Sequence, residues 1–406
     1  MRIGIVGCGI GGMAAAIALA REGHGVTLFE RFNEPAPVGA GLLLQPSGLE
    51  ALGALGLRDE VEARGARVAA LRGRTPSGRP VIDLSYARWK PNCYGLGAHR
   101  ATLFSALHRA VRDAGVEIRC GAEIVRIETP ARPVLIDTGE NRLGPFDLAI
   151  IANGAASGLR DGLLPKARAP LYPWGAIWTI RPDQTAQWDG VLAQVYAGAR
   201  VMIGVLPVGD APDSTGKNVA LFWSLREDDH AAWRKAGVNA WRAAVASYWP
   251  EAARLLDGPL DISTLSYARY RDVQAWPWGK DATLLLGDAA HATSPQLGQG
   301  ANLALADAVA LAATLRGRAV APALACYRRS RAGPIAWVQF MSAALTPVFQ
   351  SRSAFIGWAR DWILGPLSRC WPFSQIMLAT LTGAATLPFA MLLSGVAKFL
   401  VPNRRN

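Results

Sequence analysis

The chain of 406 residues is poor in the residues that build cross-links and metal sites. Its five cysteines, Cys8, Cys93, Cys120, Cys326 and Cys370, are odd in number and widely scattered. No C-x-x-C pair occurs, which excludes a disulfide framework and a structural zinc site and points to a reducing compartment. Charge is sparse at 18%, and acidic residues are in deficit, 31 against 43 basic, for a net +12. That balance favours anionic partners. Zinc-finger spacing, an RNP signature and a long basic arm are all missing, so nucleic acid is not an expected partner, and Arg328, Arg329, Ser330 and Arg331 read as a solvated helix end. No stretch precedes the glycine motif that could act as a signal peptide, and a cytoplasmic location is expected. Low-complexity tracts are absent too. With 51% hydrophobic residues the chain is globular, and its length suggests two or three domains.

What is present begins at once. Residues 2–6 (RIGIV) form a β-branched apolar run, followed by Gly7-x-Gly9-x-Gly11-Gly12 and an alanine-rich helical stretch to about Gly23. A second apolar run from Val26 to Phe29 ends in Glu30, 18 residues beyond Gly12. Strand, turn, helix and acidic residue are in register for a dinucleotide site. Gly7 permits the tight turn, Gly9 lets backbone approach a pyrophosphate, and Gly12 allows helix and strand to pack closely. The helix N-terminus offers unpaired N–H groups to the phosphates, and Glu30 can accept from ribose hydroxyls. Cys8 reads as a small residue within the turn.

The glycine turn does not separate NAD from FAD. The segment TLLLGDAAHATSPQLGQGANLALADAVALAATL supplies the distinction, with a buried strand, Asp288 at its carboxyl end, a proline-glycine loop and a long helix. With the glycine turn followed by Glu30 and Arg31, the stretch VGAGLLLQPSGLEALGALGL and the stretch HRATLFSAL, it resembles the class A flavoprotein monooxygenases, the para-hydroxybenzoate hydroxylase family, over roughly residues 1–330.

The resemblance implies an α/β fold: a doubly wound, Rossmann-type FAD-binding domain, an inserted mainly-β substrate domain over the flavin ring, and a helical, apolar C-terminal segment. The expected division is 1–70, 96–165 and 270–330 for FAD, 71–95 and 166–269 for the substrate domain, and 331–406 for the C-terminal region. Runs at 171–180, 191–205 and 219–226 read as substrate-sheet strands. By resemblance FAD is held by Gly7, Gly9, Gly11, Gly12, Glu30, Arg31, Gln45, Arg100, Asp288, Pro295, Gly298, Gly300, Ala301 and Asn302. Arg100 is assigned to the pyrophosphate and Asp288 to the ribityl and pyrophosphate region. The helix opening near Asn302 would point at the flavin pyrimidine edge, where its dipole stabilises charge that develops on reduction.

The implied chemistry is reduction of FAD by NADH or NADPH, reaction with dioxygen to a flavin hydroperoxide, and hydroxylation or epoxidation of an apolar, aromatic small molecule. Trp174, Trp178, Tyr196, Phe222 and Trp223 are an aromatic set for the substrate pocket, with Pro295 from the flavin loop; ordinary core packing is the competing reading. No catalytic acid or base stands out, and His291 and His99 read as hydrogen-bonding residues. Trp276, Pro277 and Trp278 raise a flavin-halogenase reading, which the following Gly279 and the lack of an early-loop lysine disfavour.

One departure stands at residues 147–158 (DLAIIANGAASG), where Asn153 replaces the family's usual aspartate. Its charge is lost, which bears on direct reduction by a nicotinamide; the simpler reading is a side chain that holds the turn by hydrogen bonds to backbone. The second departure is the C-terminus. Cys370 to Ala397 is 28 residues without charge, interrupted by Pro372, Gly383, Pro388 and Gly395, and residues 332–406 carry six basic residues, one acidic residue and four tryptophans. Helices packed on the protein or on a dimer partner, a membrane surface, and a span all remain open. Together these features frame an alternative function: a membrane-associated flavoprotein reductase, dehydrogenase or cyclase that inserts no oxygen, or a monooxygenase that needs a partner reductase.

Overall fold

A computed structural model describes residues 1–37, 41–211 and 214–387. The N-terminal unit is strand–helix–strand: β1 (Arg2–Val6), α1 (Ile10–Arg21) and β2 (Gly25–Phe29). There follow β3 (Gly41–Leu44), α2 (Pro46–Ala54), α3 (Arg58–Arg64), β4 (Ala66–Arg74), β5 (Pro80–Ser85), β6 (Gly95–His99), α4 (Arg100–Asp113) and β7 (Glu117–Arg119). A small antiparallel sheet of β8 (Ile124–Glu128), β9 (Val134–Asp137) and β10 (Arg142–Leu143) leads to β11 (Leu148–Ile151) and α5 (Gly158–Leu163). The middle of the chain is β12 (Trp174–Pro182), β13 (Gly190–Ala197), β14 (Val201–Ala211), β15 (Ser214–Arg226), α6 (Glu227–Tyr248), α7 (Pro250–Ala253) and β16 (Ser266–Ala268). The last third holds β17 (Gly279–Lys280), β18 (Thr283–Leu285), α8 (Asp288–His291), α9 (Gly300–Leu315), α10 (Val320–Phe349), α11 (Ala354–Arg369) and α12 (Phe373–Thr382).

Two sheets organise these elements. The first has the order β17-β18-β11-β1-β2-β7, and β1 pairs in parallel with both β2 and β11. Its central strands are buried on both sides, which is why RIGIV and LAII read as continuous apolar runs. Helices α1 and α9 cover one face, and the alanine-rich composition of both permits close approach: a Cβ on Gly11 would lie 3.3 Å from that of Ala304.

The second sheet has nine strands in the order β16-β12-β15-β14-β13-β4-β6-β3, with β5 paired to β4. Its long antiparallel members occupy the three runs expected as substrate-sheet strands. Strands β3, β4 and β6 belong to this sheet although they lie between elements of the first, so the backbone joins the two layers near residues 41–44 and 95–99. One face packs on α6 and α7 around Ile177, Val205, Trp223 and Trp241. The other face is covered by the C-terminal helices through Phe349, Leu378 and Leu381.

The C-terminal region, as far as Leu387, is therefore packed on the protein. A Cβ on Gly357 would lie 2.7 Å from Ala199 N and one on Gly365 2.3 Å from Pro80 O, so α11 rests almost backbone to backbone on the sheet. Among the described residues one helix, Val320–Phe349, is long and apolar enough to cross a membrane, and it packs between α9 and the large sheet. The rest of the uncharged stretch, from Pro388 on, lies outside the described residues, as do Val38, Gly39 and Ala40 of the second resemblance motif.

Candidate active site

The glycine turn is shaped by backbone contacts. Gly7 has φ +106°, and a Cβ there would sit 2.6 Å from Ala152 O on the neighbouring strand. A Cβ on Gly12 would fall 1.9 Å from Gly7 O. Gly9 differs: its φ is −84° and a Cβ would meet nothing within 4 Å. The protein itself does not require glycine there, so the open space belongs to what approaches the turn. No side chain caps α1, which leaves its first N–H groups facing that space. Glu30 closes the turn, its carboxylate accepting from Cys8 N at 2.8 Å and Phe32 N at 3.1 Å. Burial, followed by the neighbouring Glu30 charge, pushes the Cys8 thiol up to about 12, which removes it as a nucleophile.

A second group of residues gathers around Arg100, Asp288 and the loop of residues 295–300. Arg100 opens α4, lines the cavity, and has no hydrogen-bond or ion-pair partner among the described residues. His99 caps this helix: its Nδ1 accepts from Ala101 N at 3.1 Å, and burial holds its pKa below the usual value. Asp288 stands exposed at the start of α8. The loop through Gly298 (φ +59°) leads into α9, whose N-terminus again has no side-chain cap. Asn302 is consumed internally, accepting from Gln45 N at 2.9 Å and donating to Leu43 O and Gly298 O. It fixes the loop against β3. Gln45 is fully buried, its Oε1 accepts from Tyr86 OH at 2.7 Å, and its Nε2 has no partner. An orphaned buried donor, an unpaired arginine and a glycine cradle form a fitting site for a flavin dinucleotide.

Arg100, Asp288 and this loop line a cavity of about 390 Å³ that is bounded also by the large sheet and the C-terminal helices. Its sheet wall carries Leu192, Met202, Leu206 and Phe222, and its helical wall Leu345, Phe349, Leu364 and Met377. Polarity is concentrated at one end. Gln296 Nε2 donates to Tyr172 OH at 2.8 Å and to Gln350 Oε1 at 2.6 Å, while Gln296 Oε1 is buried without a partner. Ser294 Oγ lies 2.6 Å from Ser342 Oγ beside them. Among the described residues no histidine lines the cavity, and its one carboxylate is Asp288. Burial raises the pKa of Tyr196 and Tyr270, so both phenols stay protonated at neutral pH.

The profile of the FAD binding domain family matches residues 1–341. 2-Heptyl-3-hydroxy-4(1H)-quinolone synthase of Mycobacteroides abscessus is 31% identical over 316 residues, covering 77% of this chain and 80% of that protein. The chain belongs to the class A FAD-dependent monooxygenases. Aurachin C monooxygenase/isomerase of Stigmatella aurantiaca is 26% identical over 90% of this chain and 94% of its own length. HpxO of Klebsiella pneumoniae, solved with FAD and uric acid, superposes with a TM-score of 0.79 at 22% identity, covering 95% of this chain and 97% of that one, which establishes the same fold.

In this monooxygenase the site residues separate into groups. Gln45, Arg100, Asp288, Pro295, Gly298, Gly300 and Ala301 line the cavity, as do Trp178, Tyr196 and Phe222. Gly7, Gly9, Gly11, Gly12 and Glu30 lie at the carboxyl ends of β1 and β2, central strands of the first sheet. Arg31 is exposed, its guanidinium 4.6 Å from the Phe32 ring, and takes no part in the cavity. The aromatic set must be corrected at two positions. Trp223 faces the opposite side of the sheet, against Tyr248, because consecutive strand residues alternate and Phe222 faces the cavity. Trp174 shares the face of Trp178 but lies at the strand's start, with Arg226 over its ring.

Asn153 is exposed, and its side chain makes no hydrogen bond among the described residues. The turn it was expected to hold rests on backbone bonds, Ala152 N to Val6 O and Ser157 N to Gly154 O. His291 is a hydrogen-bonding residue, its Nε2 2.6 Å from Asp307 Oδ2, and Arg331 Nε binds the other oxygen at 2.7 Å. Of the tryptophans around Pro277, Trp278 is buried and Trp276 exposed. Sequence reasoning missed the Tyr172–Gln296–Gln350 group and the whole helical wall. Gln296 stood next to Pro295 in the quoted loop and could have been found; Gln350 carried no local signal.

Proposed function

We propose that this monooxygenase hydroxylates or epoxidises a small heteroaromatic ring that bears a hydrocarbon tail. The observation that carries the reading is the uneven cavity: apolar along its length and polar at the flavin-loop end, where Gln296 Oε1 awaits a donor. A ring N–H or hydroxyl would satisfy it, and a buried unpaired acceptor selects strongly for such a group. The relatives whose names specify a heptyl quinolone and aurachin C support the same class.

In this reading the Gly7–Gly12 turn and the N-terminus of α1 hold the cofactor's phosphates, Glu30 its ribose, and Arg100 its pyrophosphate. Gln45 Nε2 and the N-terminus of α9 face the flavin ring. Bound FAD supplies electron transfer from NADH or NADPH to dioxygen and delivery of one oxygen atom to the substrate. The chain's own contribution is to orient the ring through Gln296, exclude water with the two apolar walls, and keep Tyr196 and Tyr270 neutral. Residues 1–70, 96–165 and 270–330 are assigned to FAD, 71–95 and 166–269 to substrate, and the C-terminal region from 331 supplies the remaining wall and a contact with a membrane surface.

The test is an anaerobic titration of the purified yellow protein with NADH and with NADPH, with and without 2-alkyl-4-quinolones, followed by turnover of the same mixtures under labelled dioxygen. Faster bleaching with the tailed ring than with the bare ring, and isotope from labelled dioxygen in the product, are expected. Reduction without incorporation of label would sink oxygen insertion, and no reduction by either nicotinamide would point to a separate reductase.

A further inference from the structure

Helix α11 is amphipathic in the wrong sense. Its buried stripe is Gly357, Arg360, Gly365 and Ser368, and its outward stripe is Phe355, Trp358, Trp362 and Ile363. Phe355 is 72% exposed and Trp358 59%, and beyond the turn at Cys370 the surface continues with Trp371, 76% exposed, then Phe373 and Ile376. Seven of the thirteen large exposed hydrophobic side chains in the described chain thus fall within residues 355–376. Three of them form a continuous row: Phe355 stacks on Trp358 with centroids 6.0 Å apart, and Trp358 lies 6.5 Å from Trp362. Single exposed apolar residues are ordinary, but a patch of this kind marks an interaction surface.

The charges around the patch identify the partner. Arg79 lies 3.4 Å over the Trp362 ring, and Gln375 Nε2 donates to Arg88 O at 3.1 Å, which brings Arg88, Trp89 and Lys90 beside α12. Arg79, Arg88 and Lys90 have no carboxylate partner among the described residues. The nearby acids are taken, Asp83 by Arg369 and Asp361 by the buried Arg360. Tryptophans flanked by cations without a carboxylate partner suit the headgroup layer of an anionic bilayer. A two-fold contact with a second copy would instead set this basic rim against itself. The patch also reaches the cavity: Leu364, Ile376 and Met377 line it, and Ile376 is 46% exposed on the outside.

We propose that the outward face of α11 and the start of α12 dock on an anionic lipid surface, and that a lipophilic substrate passes between bilayer and cavity beside Ile376. Only the passage rests on the substrate reading above; docking is measured without turnover. The full-length holoenzyme is sedimented with phosphatidylcholine vesicles with and without about one-third phosphatidylglycerol. We expect pelleting with the anionic vesicles that salt weakens, and a loss of at least about tenfold in the triple variant Phe355→Gln, Trp358→Gln, Trp371→Gln, with flavin content and anaerobic reduction unchanged. No pelleting of the parent, equal binding to neutral vesicles, or undiminished binding of the variant would each overturn the proposal. So would a dimer in light scattering that the variant abolishes, since the face would then be homotypic.

Discussion

At the scale of single residues, the glycines of the nucleotide turn separate two physical demands that sequence alone merges. Gly12 is demanded by the fold, since its Cβ would overlap Gly7 O, whereas Gly9 is demanded only by a ligand. Gly12→Ala should therefore lower both the melting temperature of the apoprotein and flavin retention. Gly9→Val should leave apoprotein stability within about 1 kcal/mol of the parent and reduce FAD affinity at least about tenfold. Thermal melts with flavin stripped, paired with flavin titration, check this. His99 adds a pH dependence. Its neutral Nδ1 accepts the Ala101 N–H, and burial depresses its folded pKa, so the unfolded chain takes up the proton first. The cap's contribution, roughly 1 kcal/mol, is complete above the unfolded value of 6.5 and is lost as pH falls through the folded one. Stability should drop as pH falls below that unfolded value, and His99→Asn, which keeps an acceptor without titrating there, should shrink that limb, the rest of which belongs to His24, His108 and His230, likewise depressed by burial.

At the scale of elements, what was legible in the sequence was local. The strand–turn–helix at the N-terminus and the β18–α8–α9 run announce themselves because their glycines, acidic residues and apolar periods sit within one short stretch. The substrate strands were legible for the same reason, and so was the error at Trp223: period-two alternation already forbids Phe222 and Trp223 from sharing a face. The helical wall was not legible, because what places α11 is the fit of Gly357 and Gly365 to backbone some 160 and 285 residues away in sequence. Gly365→Ala tests that fit. Its Cβ would stand 2.3 Å from Pro80 O, so α11 must move off β5, at a cost of roughly 1–3 kcal/mol. A lower unfolding midpoint in urea with an unchanged slope is expected; an unchanged midpoint would show that α11 is not seated as described.

At the scale of the whole molecule, three layers meet at one cavity. The first sheet carries the glycine turn at the carboxyl end of its central strand β1, the second supplies one apolar wall, and α10 to α12 supply the other. Arg360 fastens that last layer, lying buried 5.0 Å from the Tyr196 ring and 5.5 Å from the Phe349 ring while bonded to Asp361. On the proposed reading, the extent of the apolar walls beyond the polar group at Gln296 sets how long a substrate tail the cavity accepts. Leu345→Trp adds bulk to the helical wall on α10, outside the glycine turn. Flavin content should stay at parental level while kcat/KM falls with tail length, by about tenfold or more for the longest tails and little for the shortest, since each buried methylene contributes about 0.8 kcal/mol. Gln296→Leu should instead lower kcat/KM alike for every tail, because it removes recognition of the ring and leaves the apolar wall intact. Equal losses for all tails in Leu345→Trp would mean that the tail does not lie along the C-terminal helices, and the substrate would have to be a bare ring held at the flavin end.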